Sequence, residues 1–469
     1  MRPLIPSLHR PVFVFLLLLT LLSRFIVRYF FHITFDAAHV HMGWQLLSPE
    51  LLQHRLLQSL WYLHSQPPLF NLLTGLALKC FPVHYALALE YLFMLMGFLQ
   101  TWLLYRSLYE LCTRRWLAAA IAAYCCISPA FLLYESWYFY AMMAMCGLSW
   151  SMWCLIRYLQ TEKFVWACAL FGLLAMLSLT VSMFHLGWIL LVVLLLCFLQ
   201  KALWRKTLLA AIFPLLVVAG WYGKNDYLFG EFTGSTWMGM NISRIMLPVS
   251  KSAPLAVKDD TTRHIAAIGP FHCVSDYAPW LPADARYPDI PALHEATKPD
   301  GTCNLNHLQC IWIAQRFKAA SLAELKAHPR NYASLVMTAH ALYFAPASEY
   351  FHLAANRNKI AGYTKLFNLG QHPIYKNYVF VSSAVLALLY ALAFSVLALQ
   401  LYRRRKSATG WHWQETAVSY AAFNILFFLL IGNLLELGEN MRFRFQVIPL
   451  FLFVLLYLLY KFKKQPTIH

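Results

Sequence analysis

Long apolar runs separated by short polar joints make up most of this chain. Runs that approach the roughly 20 residues needed to cross a hydrocarbon core recur along it. They fall at about 11–31, 84–106, 116–134, 138–157, 164–182, 185–203, 207–222, 378–402, 414–434 and 445–461. Periodicity is uninformative inside them, because they are apolar all round. The pattern predicts an all-α polytopic membrane protein of about ten transmembrane helices. Two stretches interrupt it, 32–82 and 223–377. The expected organisation is an N-terminal transmembrane module over 1–222 with a polar first outer loop at 32–82, a loop or cap over 223–377, and C-terminal transmembrane helices over 378–469.

The first interruption carries its own pattern. Ser48 can cap a helix that Pro49 begins. Leu52, Leu56, Leu60 and Leu63 then recur at i, i+4, i+8 and i+11, while Gln53, Gln58 and Ser59 lie off that stripe. This predicts a helix lying on the membrane surface. Pro67-Pro68 must end it, since proline removes a donor and restricts its predecessor. The segment 69–81, with Lys79 near its end, is too short for an easy crossing and reads as a re-entrant or interfacial helix. In the second interruption, Leu305–His328 has helical periodicity and Pro329–Phe344 reads as an amphipathic helix. A structureless loop of that length is unexpected, so a mostly helical extracytoplasmic cap is predicted.

Composition agrees with the pattern. The chain is 60% hydrophobic and 12% charged, against about 25% charged in globular domains. The net charge of +18 does not point to nucleic acid, because no soluble basic face interleaved with aromatics accompanies it. The charges sit in short clusters between spans: Arg106 with Arg114 and Arg115, Arg157 with Lys163, Lys201 with Arg205 and Lys206, Arg403 to Lys406, and Lys461 with Lys463 and Lys464. The positive-inside rule makes their side cytoplasmic, together with both termini. Arg2 and Arg10 precede an apolar run with no small-x-small cleavage site, which reads as an uncleaved first span. Of the 11 cysteines, Cys273, Cys303 and Cys310 lie in the long loop. One disulfide among these three is open to them if the loop faces an oxidising compartment.

The candidate chemistry gathers at the outer side. Asp36, just past the first span, can act as a general base toward a hydroxyl or amine. His39 and His41 follow it. The three could hold a divalent metal, but their spacing matches no strong motif, so no cofactor is assigned and the histidines read as substrate-orienting. His64 and Gln66 belong to the run His64-Ser65-Gln66-Pro67-Pro68-Leu69-Phe70. Glu135 stands among aromatics at an outer corner and could position an acceptor or a cationic group. Glu90 lies within a span, where an acid is functional by default or bonded between helices. His185, at another corner, reads as structural. Arg442 and Arg444, in a loop with Glu439, run against the positive-inside trend. Arginine grips phosphate bidentately, so a lipid-linked phosphate is their natural ligand, with Glu436, Glu439 or lipid headgroups as the alternative partners. Lys224 and Arg244 are secondary candidates.

Taken in order, these pieces resemble the GT-C superfamily of integral membrane glycosyltransferases, nearest to the dolichyl-phosphate-mannose protein mannosyltransferase and aminoarabinose transferase branch. The matching elements are Asp36, the His64–Phe70 break, Ser128-Pro129-Ala130-Phe131-Leu132-Leu133-Tyr134, the long outer loop, and Arg442-Phe443-Arg444. The resemblance implies a polyprenyl-phosphate-linked sugar donor and a glycan, lipid or protein acceptor glycosylated on the extracytoplasmic face, with Asp36 as catalytic base. Family members often carry Asp-Glu where this chain has Asp36-Ala37, which makes Glu135 the expected replacement for the second acid. The branch resembled favours a bacterial inner membrane. A glycan polymerase or ligase, and a lipid or solute transporter, are the competing readings. A scaffold would leave Asp36 and the arginines without a purpose.

Overall fold

The computed structural model describes residues 7–247, 255–284, 286–368, 381–405 and 410–464. The expected boundary at 377/378, Arg2 and Lys406 lie outside these. Among the described residues the fold is helical, and extended pairing is limited to two isolated bridges, Asp36 with Trp137 and Thr297 with Cys303. The principal helices are α1 (Arg10–Tyr29), α2 (Pro68–Cys80), α3 (Tyr85–Cys112), α4 (Arg115–Ile127), α5 (Pro129–Glu135), α6 (Tyr140–Thr161), α7 (Phe164–Ser178), α8 (Leu186–Leu199), α9 (Trp204–Phe229), α10 (Met238–Met246), α11 (Gln309–Ala327), α12 (Pro329–Phe344), α13 (Val381–Arg405), α14 (Trp413–Phe427) and α15 (Asn440–Lys464).

Six of these are long and apolar enough to cross a membrane: α1, α3, α9, α13, α14 with its extension to Leu435, and α15. The pair α4–α5 makes a seventh if it is counted as one span. It was expected as a single straight run, but it bends by 59° between Ile127 and Pro129. Ser128 accepts from the Phe131 N–H there, and Pro129 takes the first position of α5, where its missing donor costs nothing. Each expected span has a helix, yet α7 and α8 are short. Helix α6 is as long but falls outside that set, and most of its surface is buried against other helices. It packs against α3, α7, α14 and α15. Its small residues Ala141, Ala144, Ser149 and Ser151 are buried, which lets neighbouring backbones approach. Ser151 also bonds the Tyr420 hydroxyl of α14 at 2.7 Å.

The surface helix forms as two pieces, Pro49–His54 and Leu56–Trp61, broken at Arg55. Ser48 occupies the cap position without a side-chain bond. The leucine stripe faces inward: Leu52, Leu56 and Leu63 are buried. Pro68 then opens α2, so the proline pair ends one helix and starts the next. Helix α9 runs seven residues past the expected end at 222, and Gly230 closes it in the left-handed conformation at φ 76°. The segment after it has a hydrophobic core of its own, built on Trp237, Met240, Ile265, Phe271, Tyr277, Ile313 and Phe317. Here α10 lies so close on α11 that a Cβ at Gly239 would stand 1.8 Å from the Ala314 carbonyl oxygen. Cys273 and Cys303 form a disulfide at this core with Cα atoms 4.8 Å apart, and Cys310 is buried and free.

Candidate functional site

A cavity of about 740 Å³ lies between α8, the end of α9, α10 and the turn joining α14 to α15. Its body is apolar, with Val181, Leu190, Leu191, Phe427, Ile431 and Leu435 on its walls. One end is charged. There Arg244 Nη1 lies 2.7 Å from Glu436 Oε1 and 3.5 Å from Glu439 Oε1, and Arg442 Nη2 pairs with Glu439 Oε2. Gln45, Gln66, Tyr140 and Asn241 also line the cavity. The turn that carries the acids follows a widened π-type turn over Phe428–Gly432, a local distortion frequent at functional sites.

Arg442 is nearly fully enclosed, at 4% exposure. Its guanidinium lies over the Phe139 ring at 4.7 Å and the Tyr140 ring at 5.2 Å. Nε and Nη1 are buried with no hydrogen bond of good geometry, although the Tyr140 hydroxyl interacts with the guanidinium. Buried donors left poorly satisfied are costly, so the site has room for a stronger acceptor than the Tyr140 hydroxyl. The acids differ in their surroundings. Burial pushes Glu436 up to about 8, with Arg244 opposing. Burial also works to raise Glu439, but Arg442 and then Arg244 outweigh it and hold the carboxyl below its ordinary range. Glu436 is thus the acid that takes a proton first, and with it neutral the two guanidinium groups outweigh the one remaining carboxylate.

Asp36 lines a second cavity of about 360 Å³ with Trp137, His352, Asn356 and Lys359. Its backbone is fixed by bonds from its N–H to the Ser136 carbonyl (2.7 Å) and from the Tyr138 N–H to its own carbonyl (2.9 Å). Among the described residues its carboxylate accepts one bond, a local one from the Ala38 N–H at 3.0 Å. Between the two cavities stands a wall of planar groups. His352 stacks on Trp137 at 5.3 Å, Trp137 stacks on Phe139 at 4.4 Å, and Arg442 covers Phe139. Burial lowers the His352 pKa, and the charges of Glu439, Arg442 and Asp36 all reach its ring. The aspartate and Arg442 thus stand at the same end of the bundle, in adjoining cavities and not in one.

Several sequence-expected residues are held elsewhere. Glu135 is not a free second acid: Arg24 donates to its Oε1 at 2.8 Å and its Oε2 at 2.7 Å, deep between α1 and α5. Arg444 faces away from the cavity and clamps the end of α12 through the Tyr343 and Ala345 carbonyls, both at 2.8 Å. Lys224 belongs to α9, not to a loop, and donates to the Trp61 and Leu63 carbonyls at 3.1 and 2.7 Å. His64 is buried and bonds the Thr236 hydroxyl and the Asn306 carbonyl, both at 2.9 Å. Burial lowers its pKa to about 3, so it stays neutral. His41 bonds the Tyr85 hydroxyl at 2.9 Å. His39 packs edge-on against Phe139 at 4.8 Å and is lowered to about 3 by burial. These two histidines diverge from Asp36, and no group of three metal-ligating side chains occurs among the described residues. His185 caps α8 through the Gly187 N–H and also lines the large cavity. Glu90 pairs with Arg28 at 2.5 Å. The sequence reading missed His352, Asn356 and Lys359, which no motif marks. No family model matches this chain, and no curated protein or solved structure matches it either.

Proposed function

We propose that this protein is an integral membrane glycosyltransferase that takes a sugar from a polyprenyl-phosphate donor and delivers it on the extracytoplasmic face. The observation that carries the reading is the large cavity, apolar along its length and cationic at one end, with two buried Arg442 donors awaiting a stronger acceptor. That arrangement suits a long isoprenoid chain ending in a phosphate. In this reading the phosphate accepts from Arg442 Nε and Nη1, with Arg244 adding charge. The acceptor hydroxyl or amine sits beside Asp36, loses its proton to the carboxylate and attacks the anomeric carbon. The bond from that carbon to the phosphate oxygen breaks, and the arginines stabilise the charge left on the departing polyprenyl phosphate. The transition state has oxocarbenium character. Trp137 and Phe139 separate the cavities, so the two substrates meet only where these rings yield.

The compartment follows the same reading. The extracytoplasmic orientation rests on the sequence reading of about ten spans with the basic clusters on the cytoplasmic side; six to seven of those spans are helices long and apolar enough to cross. A disulfide at Cys273–Cys303 suits an oxidising compartment, and a bacterial inner membrane is the setting we favour. The test is turnover of polyprenyl-phosphate monosaccharides by purified protein. Asp36→Asn should lower transfer at least about a hundredfold, the scale of general-base catalysis, with donor binding unchanged. Near-normal transfer would remove Asp36 from the base role. Use of polyprenyl-diphosphate oligosaccharides instead would identify a polymerase or ligase.

A further inference from the structure

A separate groove of about 380 Å³ opens on the opposite side of Phe35 from the Asp36 cavity, between α1, α3 and α5. Its rim carries Phe25, Tyr29 and Tyr91, all more than half exposed. Both flanking helices are among the six apolar enough to cross a membrane, so this rim faces lipid. Two ion pairs line it. The inner one, Arg24–Glu135, is two-pronged and closed, and Arg24 Nη1 is further occupied by Ser23 and the Cys126 carbonyl. The outer pair, Arg28–Glu90, is different. It is a single Nη1-to-Oε1 contact of 2.5 Å, with Arg28 50% and Glu90 17% exposed. Among the described residues, nothing else bonds the remaining oxygen of Glu90 or the remaining nitrogens of Arg28.

We infer that the Arg28–Glu90 pair is a headgroup site for a zwitterionic aminophospholipid of the phosphatidylethanolamine class. The arginine donates to the phosphate oxygens, the glutamate accepts from the primary ammonium, and an acyl chain lies along Leu21, Phe25 and Met94 in the groove. A lone arginine at this depth would serve any anionic lipid. A neutral pair gains nothing from net negative charge, and it matches a head that carries both signs. A primary ammonium donates hydrogen bonds to Glu90, which a quaternary one cannot. The site is independent of the transferase reading.

The test uses the full-length protein in detergent, stripped of lipid, with retained and added lipids counted by native mass spectrometry. Phosphatidylethanolamine should bind about tenfold more tightly than phosphatidylglycerol or phosphatidylcholine, the worth of one charge-assisted hydrogen bond. Glu90→Gln should bring the ethanolamine-to-glycerol ratio to about one. Arg28→Met should weaken all three lipids. Arg28→Lys, a milder change for the fold, should keep the preference at reduced affinity. Soluble glycerophosphoethanolamine, lacking chains, should not compete. Equal binding of the three lipids by the unaltered protein, or an ethanolamine preference that survives Glu90→Gln, would overturn the assignment.

Discussion

Arg442 and Arg444 stand two residues apart, and the structure gives them different tasks, which makes the pair a sharp test. In Arg442→Met the apolar replacement keeps contact with the Phe139 and Tyr140 rings but removes the two poorly satisfied donors, Nε and Nη1. A hydrogen bond from a charged group to phosphate is worth about 1.5–3 kcal/mol. Losing two therefore costs about 3 kcal/mol or more, roughly a hundredfold in donor affinity. Glu439 loses its closest partner but keeps Arg244 at 3.5 Å, and it can take up a proton, so the fold should survive. In Arg444→Met the lost bonds are those to the Tyr343 and Ala345 carbonyls, which leaves two buried acceptors unmet at about 1–3 kcal/mol each. That variant should unfold at lower temperature, while the folded fraction binds donor normally. The assay is titration of a short-chain polyprenyl monophosphate into each detergent-solubilised variant, beside a thermal melt. Unchanged affinity in Arg442→Met, or an equal loss in Arg444→Met, would refute the assignment of phosphate binding to the cavity.

Two further predictions concern the charged end and the bundle. Burial raises Glu436 to about 8, so its deprotonation as pH rises cancels the net positive charge beside the phosphate. Affinity for the same monophosphate should fall as pH rises from 7 to 9 and stay level in Glu436→Gln; a pH-independent unaltered protein would contradict the proton assignment. Gly97 on α3 is where the Arg24–Glu135 pair needs room, since a Cβ there would stand 1.7 Å from Glu135 Oε2. Gly97→Ala should cost about 3–5 kcal/mol through the broken buried pair, offset by about 1 kcal/mol of helix propensity. The shorter Glu135→Asp should recover part of the lost thermal stability in the double variant, and additive losses in the two single variants would argue against the steric account.

What the sequence made legible follows from how local each signal was. The leucine stripe of the surface helix and its proline stop are set by spacing alone, and the stripe packs inward as spacing requires. Asp36 was marked by its position after a span, and it does line a cavity. The failures are non-local. Glu135 reads from the sequence as positioning an acceptor or a cation; it holds a cation, but Arg24, 111 positions earlier in the chain, could not be named as that partner. Lys224 looked like a loop residue because the apolar run stops before it. In the fold its ammonium is satisfied by two carbonyls from the end of the surface helix, so no lipid-facing hydrophobicity is needed there and none is written.

Arg442 and Arg444 could not be told apart for a geometric reason. Two residues apart on a helix, their side chains leave the axis about 200° apart, so a cavity on one side of α15 can take only one of them. Choosing which requires knowing what packs on each face. Phe139, Tyr140 and Glu439 face Arg442, and the end of α12 faces Arg444. The same reasoning applies to His352, which stands in a short turn over Phe351–Leu353 without any pattern around it. It matters only because Trp137 brings it between Asp36 and Arg442. A residue that joins two cavities is defined by both of them, and no stretch of chain contains both.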